Sequence, residues 1–476
     1  MRDFLRRVGL PSIIDATPAT LRPPVHMTPA ARLLLLVVGR PLWAWRVELA
    51  TVLLAVAALR WLASHLGIAL AVLLVAVAAL GLALVPEVRR SVLLLYRRAH
   101  VRRQWTLAVR HAGLANFNDR VPRVVGHRLT LAGDDLAVRV PAGKTVSEVE
   151  DKAETIAAFL RVREVRVHRR PEDAGLAQIM VVVRDPLGTN ERWPWPNMGA
   201  DRLSLWQPIP VGLDEDGELV TLSLVERNIL YGGEPGSGKS VAQSLGTATA
   251  ALDPDVRLHL FDGKYVELAP WAGCAEHMVG PNQDEAIDVL KELVADMDGR
   301  YMQLLANKRR KLRPEDGLPL HVVEIDELAF FCNGPDRAAN KAFTELARDL
   351  VGRGRAAGYI VKAATQKPSG DTIPTYLRDL FAVRWAFRCS TSDASDTILG
   401  KGWARAGYSA DTIDVAHRGV GYLLHEGGRP VRLRTFYLAD LDLYALAAHA
   451  ELLRTDAHRD QALEEGGADK HLHVTE

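Results

Sequence analysis

The chain has 476 residues, 48% hydrophobic and 25% charged, with 59 Lys+Arg against 58 Asp+Glu. That length and balance fit two or three domains with at least one large core, and exclude a disordered, collagen-like or disulfide-scaffold chain. A net charge of +1 argues against a polyanion partner only where charge is spread evenly, and here it is not.

The first predicted elements are apolar. From Leu49 to Pro86 only Arg60 and His65 are ionisable. As one helix that run is about 57 Å long, against a hydrocarbon core of about 30 Å. Two transmembrane helices within 43–86 are therefore expected, turning at Ser64-His65-Leu66-Gly67. Residues 1–46 sum to +5 and residues 87–130 to +8. The positive-inside rule then puts the segment 1–42, the basic linker 87–120 and all that follows in the cytoplasm, as a multi-pass protein of the cell membrane. The basic flank suits anionic membrane lipid, with a nearby polyanion as the alternative. Cys274, Cys332 and Cys389 form no C-x-x-C pair, which points to a reducing compartment and no zinc site.

From 121 to 190 the pattern becomes that of a small α+β domain. Leu129–Leu131, Leu136–Val140, Val162–His168 and Gln178–Val183 read as strands. Thr145–Leu160 reads as a helix entered through Thr145 or Ser147. A linker rich in Trp and Pro follows, including Trp193-Pro194-Trp195-Pro196.

The apolar run Asn228–Tyr231 leads into Gly233-Glu234-Pro235-Gly236-Ser237-Gly238-Lys239-Ser240, a full G-x-x-x-x-G-K-[ST] match, and then into the helical pattern Val241–Ala251. The motif thus lies between a strand and a helix, where backbone N–H groups and a helix N-terminus can cradle phosphates. Lys239 is expected to reach the β- and γ-phosphates of ATP, and the Ser240 hydroxyl to ligate Mg²⁺. Further on, His321–Ile325 reads as a buried strand ending in Asp326-Glu327. Asp326 is expected to hold Mg²⁺ and Glu327 to polarise the attacking water, with Glu324 facing the other side. Gly358–Gln366 reads as a strand whose end offers Thr365 and Gln366 as γ-phosphate sensors. Alternating strands and helices imply an α/β fold with a mostly parallel sheet.

The region 200–440 resembles the motor domain of FtsK/SpoIIIE-type DNA translocases. The resemblance rests on the phosphate loop, Phe261-Asp262-Gly263-Lys264-Tyr265-Val266-Glu267-Leu268, Ile325-Asp326-Glu327, Gly354-Arg355-Ala356-Ala357-Gly358 and Ala364-Thr365-Gln366-Lys367-Pro368. It implies a RecA-like P-loop NTPase motor preceded by a small α+β ring domain. It also implies a homo-oligomer, a hexameric ring, and ATP-driven movement along double-stranded DNA. In such a ring an arginine from the neighbouring subunit stabilises the γ-phosphate, and Arg353, Arg355 and Arg384 are the candidates. Lys308-Arg309-Arg310-Lys311 with Arg313 is a candidate DNA-backbone contact. Compact membrane-anchored chains with one motor look like the transfer (Tra) proteins of actinobacterial conjugative plasmids and integrated elements. The remaining 441–476 reads as a polar tail, too short for the family's C-terminal winged-helix DNA reader. The expected role is conjugative DNA transfer or DNA segregation. The alternative is a type VII secretion-like (EccC-like) protein-export ATPase, against which stands the single full phosphate loop.

Overall fold

A computed structural model describes residues 86–366 and 372–471, with scattered positions between 53 and 77. The expected segment 1–42 and most of the expected hairpin 43–86 lie outside the described residues. No helix among the described residues is long and apolar enough to cross a membrane. By its contacts the chain divides into two units, one ending at Asp185 and the other beginning at Pro186.

The first unit opens with helix α1 (Pro86–His111). Much of the stretch expected as a basic linker is therefore helix, and its last turns bury Trp105, Ala108 and Val109 in the core of this unit. Four antiparallel strands follow, β1 (Arg123–Leu129), β2 (Gly133–Arg139), β3 (Glu164–Arg169) and β4 (Leu176–Val182), in the order β1-β2-β4-β3. The first strand thus starts six residues before the expected Leu129, because the run from Arg123 pairs with β2 along its length. Between β2 and β3 lie α2 (Val146–Asp151) and α3 (Ala153–Leu160). Thr145 caps α2 in a capping box with Glu148. The expected single helix is broken at Lys152, whose φ of −101° and ψ of 5° are not helical.

The second unit is built on a ten-stranded sheet. Its elements are β5 (Ile209–Asp214), β6 (Leu219–Leu222), β7 (Ile229–Gly232), α4 (Lys239–Ala251), β8 (Val256–Phe261), β9 (His277–Val279) and α5 (Gln283–Ala306). Then come β10 (Leu320–Ile325), α6 (Leu328–Cys332), α7 (Arg337–Arg353), β11 (Tyr359–Thr365), α8 (Thr375–Arg378), β12 (Val383–Phe387) and α9 (Ser392–Leu399). β13 (Val420–Leu424), β14 (Val431–Thr435) and α10 (Asp440–His471) complete it.

The strand order is β6-β5-β14-β13-β12-β7-β11-β10-β8-β9. The six strands from β12 to β9 are parallel, and every residue of β10 and β11 is buried, as expected of strands covered on both faces. β13, β14, β5 and β6 extend the sheet in antiparallel fashion, so the expected mostly parallel sheet is mixed, with six parallel strands of ten. One apolar core joins the sheet to α4 and α10, and a second joins it to α5, α6 and α7.

Two stretches read as loose in sequence are packed. Trp195 is buried, and its indole N–H donates to the Pro210 carbonyl at 3.0 Å. Most of 441–476 belongs to α10 rather than to a polar tail, with Leu446, Ala447, Ala450 and Arg454 buried. The Arg454 guanidinium donates to the carbonyls of Ala250, Ala251, Asp253 and Val256 at 2.7–3.0 Å. It thereby bonds the last two carbonyls of α4, those of Ala250 and Ala251, and places a cation at the negative end of that helix.

Candidate functional site

The strand β7 ends at Gly232 and α4 begins at Lys239, with the glycine-rich loop between them. Gly238 has a φ of +103°, and a Cβ there would lie 2.6 Å from the Gly419 Cα. Gly419 in turn donates its N–H to the Ser237 carbonyl at 2.8 Å. Only glycine allows two backbones to approach so closely in that conformation. No side chain caps the N-terminus of α4, which leaves its first N–H groups available to an anion.

Lys239 is 4% exposed, and its Nζ has no hydrogen-bond partner; nor has the buried Ser237 Oγ. Lys239 Nζ lies 3.8 Å from Asp326 Oδ1. Asp326, at the carboxyl end of β10, is 1% exposed, and both of its oxygens lack partners. Burial pushes its carboxyl up to about 6, against the pull of Lys239. Buried charged atoms left without partners cost stability, so a group that would satisfy them all is the natural occupant. A triphosphate with Mg²⁺ is such a group. Lys239 and the α4 N-terminus would take the phosphates, while Ser240 and Asp326 supply the few protein oxygens that Mg²⁺ commonly accepts.

The strand β11 lies between β7 and β10, so its end falls between the loop and the acids. The Glu327 carboxylate accepts the Thr365 hydroxyl at 2.9 Å and the Gln366 N–H at 3.1 Å. These three candidates thus form one network. The expectation that Glu324 faces the other side fails: two residues from Asp326 it lies on the same α4 side of the sheet, where it accepts the Thr247 hydroxyl at 3.0 Å and pairs with Lys362, neither charged side chain being exposed. It takes no part in the cavity.

The three candidate arginines do not join the site of their own chain. Arg353 and Arg355 precede β11, a strand about 20 Å long whose far end carries Thr365. Arg353 pairs with Asp298 at 2.8 Å and with Asp349. Arg355 donates to the Glu226 carbonyl at 2.6 Å, and Arg384 to the Phe381 carbonyl at 3.1 Å. Lys308–Lys311, Arg313 and Arg355 line a separate cavity of about 600 Å³.

The phosphate loop opens into a cavity of about 630 Å³. Several of its walls carried no sequence signal. Gly419 closes against the loop, and Arg418, Asn190–Arg192 and Thr435–Tyr437 also line the cavity, with the Thr435 N–H donating to the Gly419 carbonyl at 2.9 Å. Arg388 pairs with Glu234 of the loop at 2.5 Å. The Asp262 oxygens accept the N–H groups of Lys264 and Leu268 at 2.9 and 2.8 Å, ordering the turn that leads to Glu267 in the cavity wall. Asp262-Gly263 is a turn signal that a sequence reading can use; the others have none.

Residues 201–410 match the FtsK/SpoIIIE family. A DNA translocase FtsK of Lactococcus lactis subsp. cremoris is 27% identical over 363 residues, 70% of this chain and 45% of that protein. A DNA translocase FtsK of Staphylococcus aureus is 32% identical over 221 residues, 41% of this chain and 27% of that protein. The chain spans less than half the length of the curated relatives it matches. Among solved structures, the pCW3 conjugation coupling protein TcpA, in a monomer form with ATPγS, aligns with a TM-score of 0.49 at 17% identity, covering 74% of this chain and 99% of that one. EssC (ATPases 2 and 3) of Geobacillus thermodenitrificans aligns with a TM-score of 0.47 at 15% identity, covering 56% and 52%.

Proposed function

Residues 201–410 form an FtsK/SpoIIIE-family domain, and on this basis we propose that the chain is a membrane-anchored, ATP-driven translocase of double-stranded DNA. The observation that carries the ATPase part is the convergence of Lys239, Asp326 and Glu327 at one end of the sheet, with the buried Lys239 ammonium and Asp326 oxygens lacking hydrogen-bond partners. The relatives named DNA translocase FtsK support the DNA part.

The chain's own residues divide the work. Lys239 and the α4 N-terminus bind and neutralise the phosphates. Ser240 and Asp326 would hold Mg²⁺, which when bound spreads the charge developing on the transferred phosphoryl group. Glu327 orients the attacking water and accepts its proton, and Thr365 and Gln366 fix the direction of that carboxylate. The assembly is a homo-oligomeric ring, in our reading a hexamer, in which Arg353, Arg355 or Arg384 reaches the site of the next subunit. The Lys308–Arg313 run contacts the DNA backbone, which predicts salt-sensitive, sequence-independent binding. The role is DNA transfer between cells or DNA segregation.

Anchoring in membrane lipid is supported by the described positions of the expected hairpin. Leu53, Ile68 and Leu73 are 67%, 75% and 57% exposed, a poor arrangement in water and a suitable one in lipid. Gly67, in the expected turn, has a φ of +82°, and the described residues on either side of it are helical.

The test is the ATPase rate of the full chain in detergent or vesicles, with and without linear double-stranded DNA. Stimulation by DNA that is lost in Lys239→Ala is expected. Stimulation by an exported-substrate peptide and not by DNA overturns the reading in favour of protein export. Full hydrolysis by Lys239→Ala removes the assigned site.

A further inference from the structure

We propose that Arg192 and Tyr437 form the platform on which the base of the bound nucleotide stacks. The inference rests on the ATP reading above and adds the half of the site that no motif marks. A triphosphate held by the loop must project its sugar and base into the rest of the cavity of about 630 Å³. Asn190–Arg192 and Thr435–Tyr437 line that same cavity beside the loop.

That wall is built, not slack. Arg434 donates to the carbonyls of Leu187 and Glu191 at 2.8 and 2.9 Å. The Tyr437 N–H donates to the Trp193 carbonyl at 2.8 Å, and Pro194 bridges to Tyr437. Buried Trp195 anchors the strap just beyond. Arg192 therefore sits in a segment tied down on both sides of it. Its guanidinium carbon lies 4.6 Å from the centroid of the Tyr437 ring.

A planar cation laid on an aromatic ring is a surface suited to stacking a base. Every base has a π-face, so such a platform strengthens nucleotide binding while discriminating little between adenine and guanine. It works on the base alone, which separates it from Lys239, whose partners are the phosphates.

The experiment compares the affinity of the full chain for ATP and for inorganic tripolyphosphate, both with Mg²⁺. Arg192→Ala and Tyr437→Leu are expected to weaken ATP about tenfold and to leave tripolyphosphate unchanged. Tyr437→Phe, which keeps the ring, is expected to retain ATP affinity. Lys239→Ala is expected to weaken both ligands. ATP affinity in Arg192→Ala equal to that of the unsubstituted chain overturns the platform, as does an equal loss of both ligands, which marks a structural role only. If the unsubstituted chain binds neither ligand, the ATP reading itself falls and the platform with it.

Discussion

Glu324 and Asp326 stand two residues apart on one strand and its end, 0% and 1% exposed, yet their surroundings are opposite. Glu324 meets the Lys362 ammonium, and Thr247 donates to it at 3.0 Å. Lys362 spends all three of its protons, on Glu324, on the Gln243 carbonyl and on the Thr247 hydroxyl. Asp326 has a cation no nearer than Lys239 at 3.8 Å, and neither of its oxygens is hydrogen-bonded. A buried charge paired within the fold through one oxygen, here Glu324 Oε2, ties β10, β11 and α4 together, although Oε1 has no hydrogen-bond partner. A buried charge left waiting marks where a ligand belongs.

The comparison is broken most severely at the Glu324–Lys362 pair. Lys362→Met leaves Glu324 buried without its cation and is expected to cost about 3–5 kcal/mol in chemical denaturation. Lys362→Met with Glu324→Leu removes both charges and is expected to recover most of that loss. At the other pole, Glu327→Gln is expected to slow hydrolysis about a hundredfold or more while leaving the denaturation midpoint unchanged. An equal loss of stability there would mean that this end of the strand is structural too.

Histidines sharpen the contrast through pH. His259 lies 2.9 Å from His277 and 3.0 Å from His321, ring nitrogen to ring nitrogen. Burial first, then neighbouring charges that include His277 and Arg300, hold His259 down to about 3 and His321 to about 2. The unfolded chain takes up these protons near pH 6.5, well before the folded chain does. Their contribution to stability is therefore complete above pH 6.5 and falls by about 1.4 kcal/mol per pH unit for each histidine below it. His321→Gln, which keeps a donor and an acceptor, is expected to reduce that slope by one histidine's share between pH 6 and 4.5. An unchanged slope refutes the assignment. The smallest effect is expected at Thr365→Val. Loss of one hydrogen bond to Glu327, worth about 1 kcal/mol, slows hydrolysis about fivefold with ATP affinity intact.

Legibility followed the length of chain each feature needs. The phosphate loop is contiguous, because the backbone of a few successive residues makes the cradle, and it was read completely. The strands ending at Asp326 and Thr365 were legible from their apolar runs, whereas the expectation that Glu324 faces away is wrong, since strand alternation puts residues two apart on one face and both acids lie toward α4. The break at Lys152 was not legible, since one non-helical residue leaves the apolar period almost unchanged. α10 reads as polar in sequence because its buried stripe of Leu446, Ala447, Ala450 and Arg454 is thin and contains a charge.

By itself, then, the sequence determined the loop, the acid pair and the strands that carry them, because those depend on local conformation and on periods of two and 3.6 residues. Tertiary structure alone decided that Lys362 answers Glu324, that Gly419 touches Gly238, and that the strap at Arg192 meets Tyr437. Those partners lie 38, 181 and 245 residues apart along the chain. Nothing in the spacing of such residues records their meeting; the order of strands in the sheet brings them together.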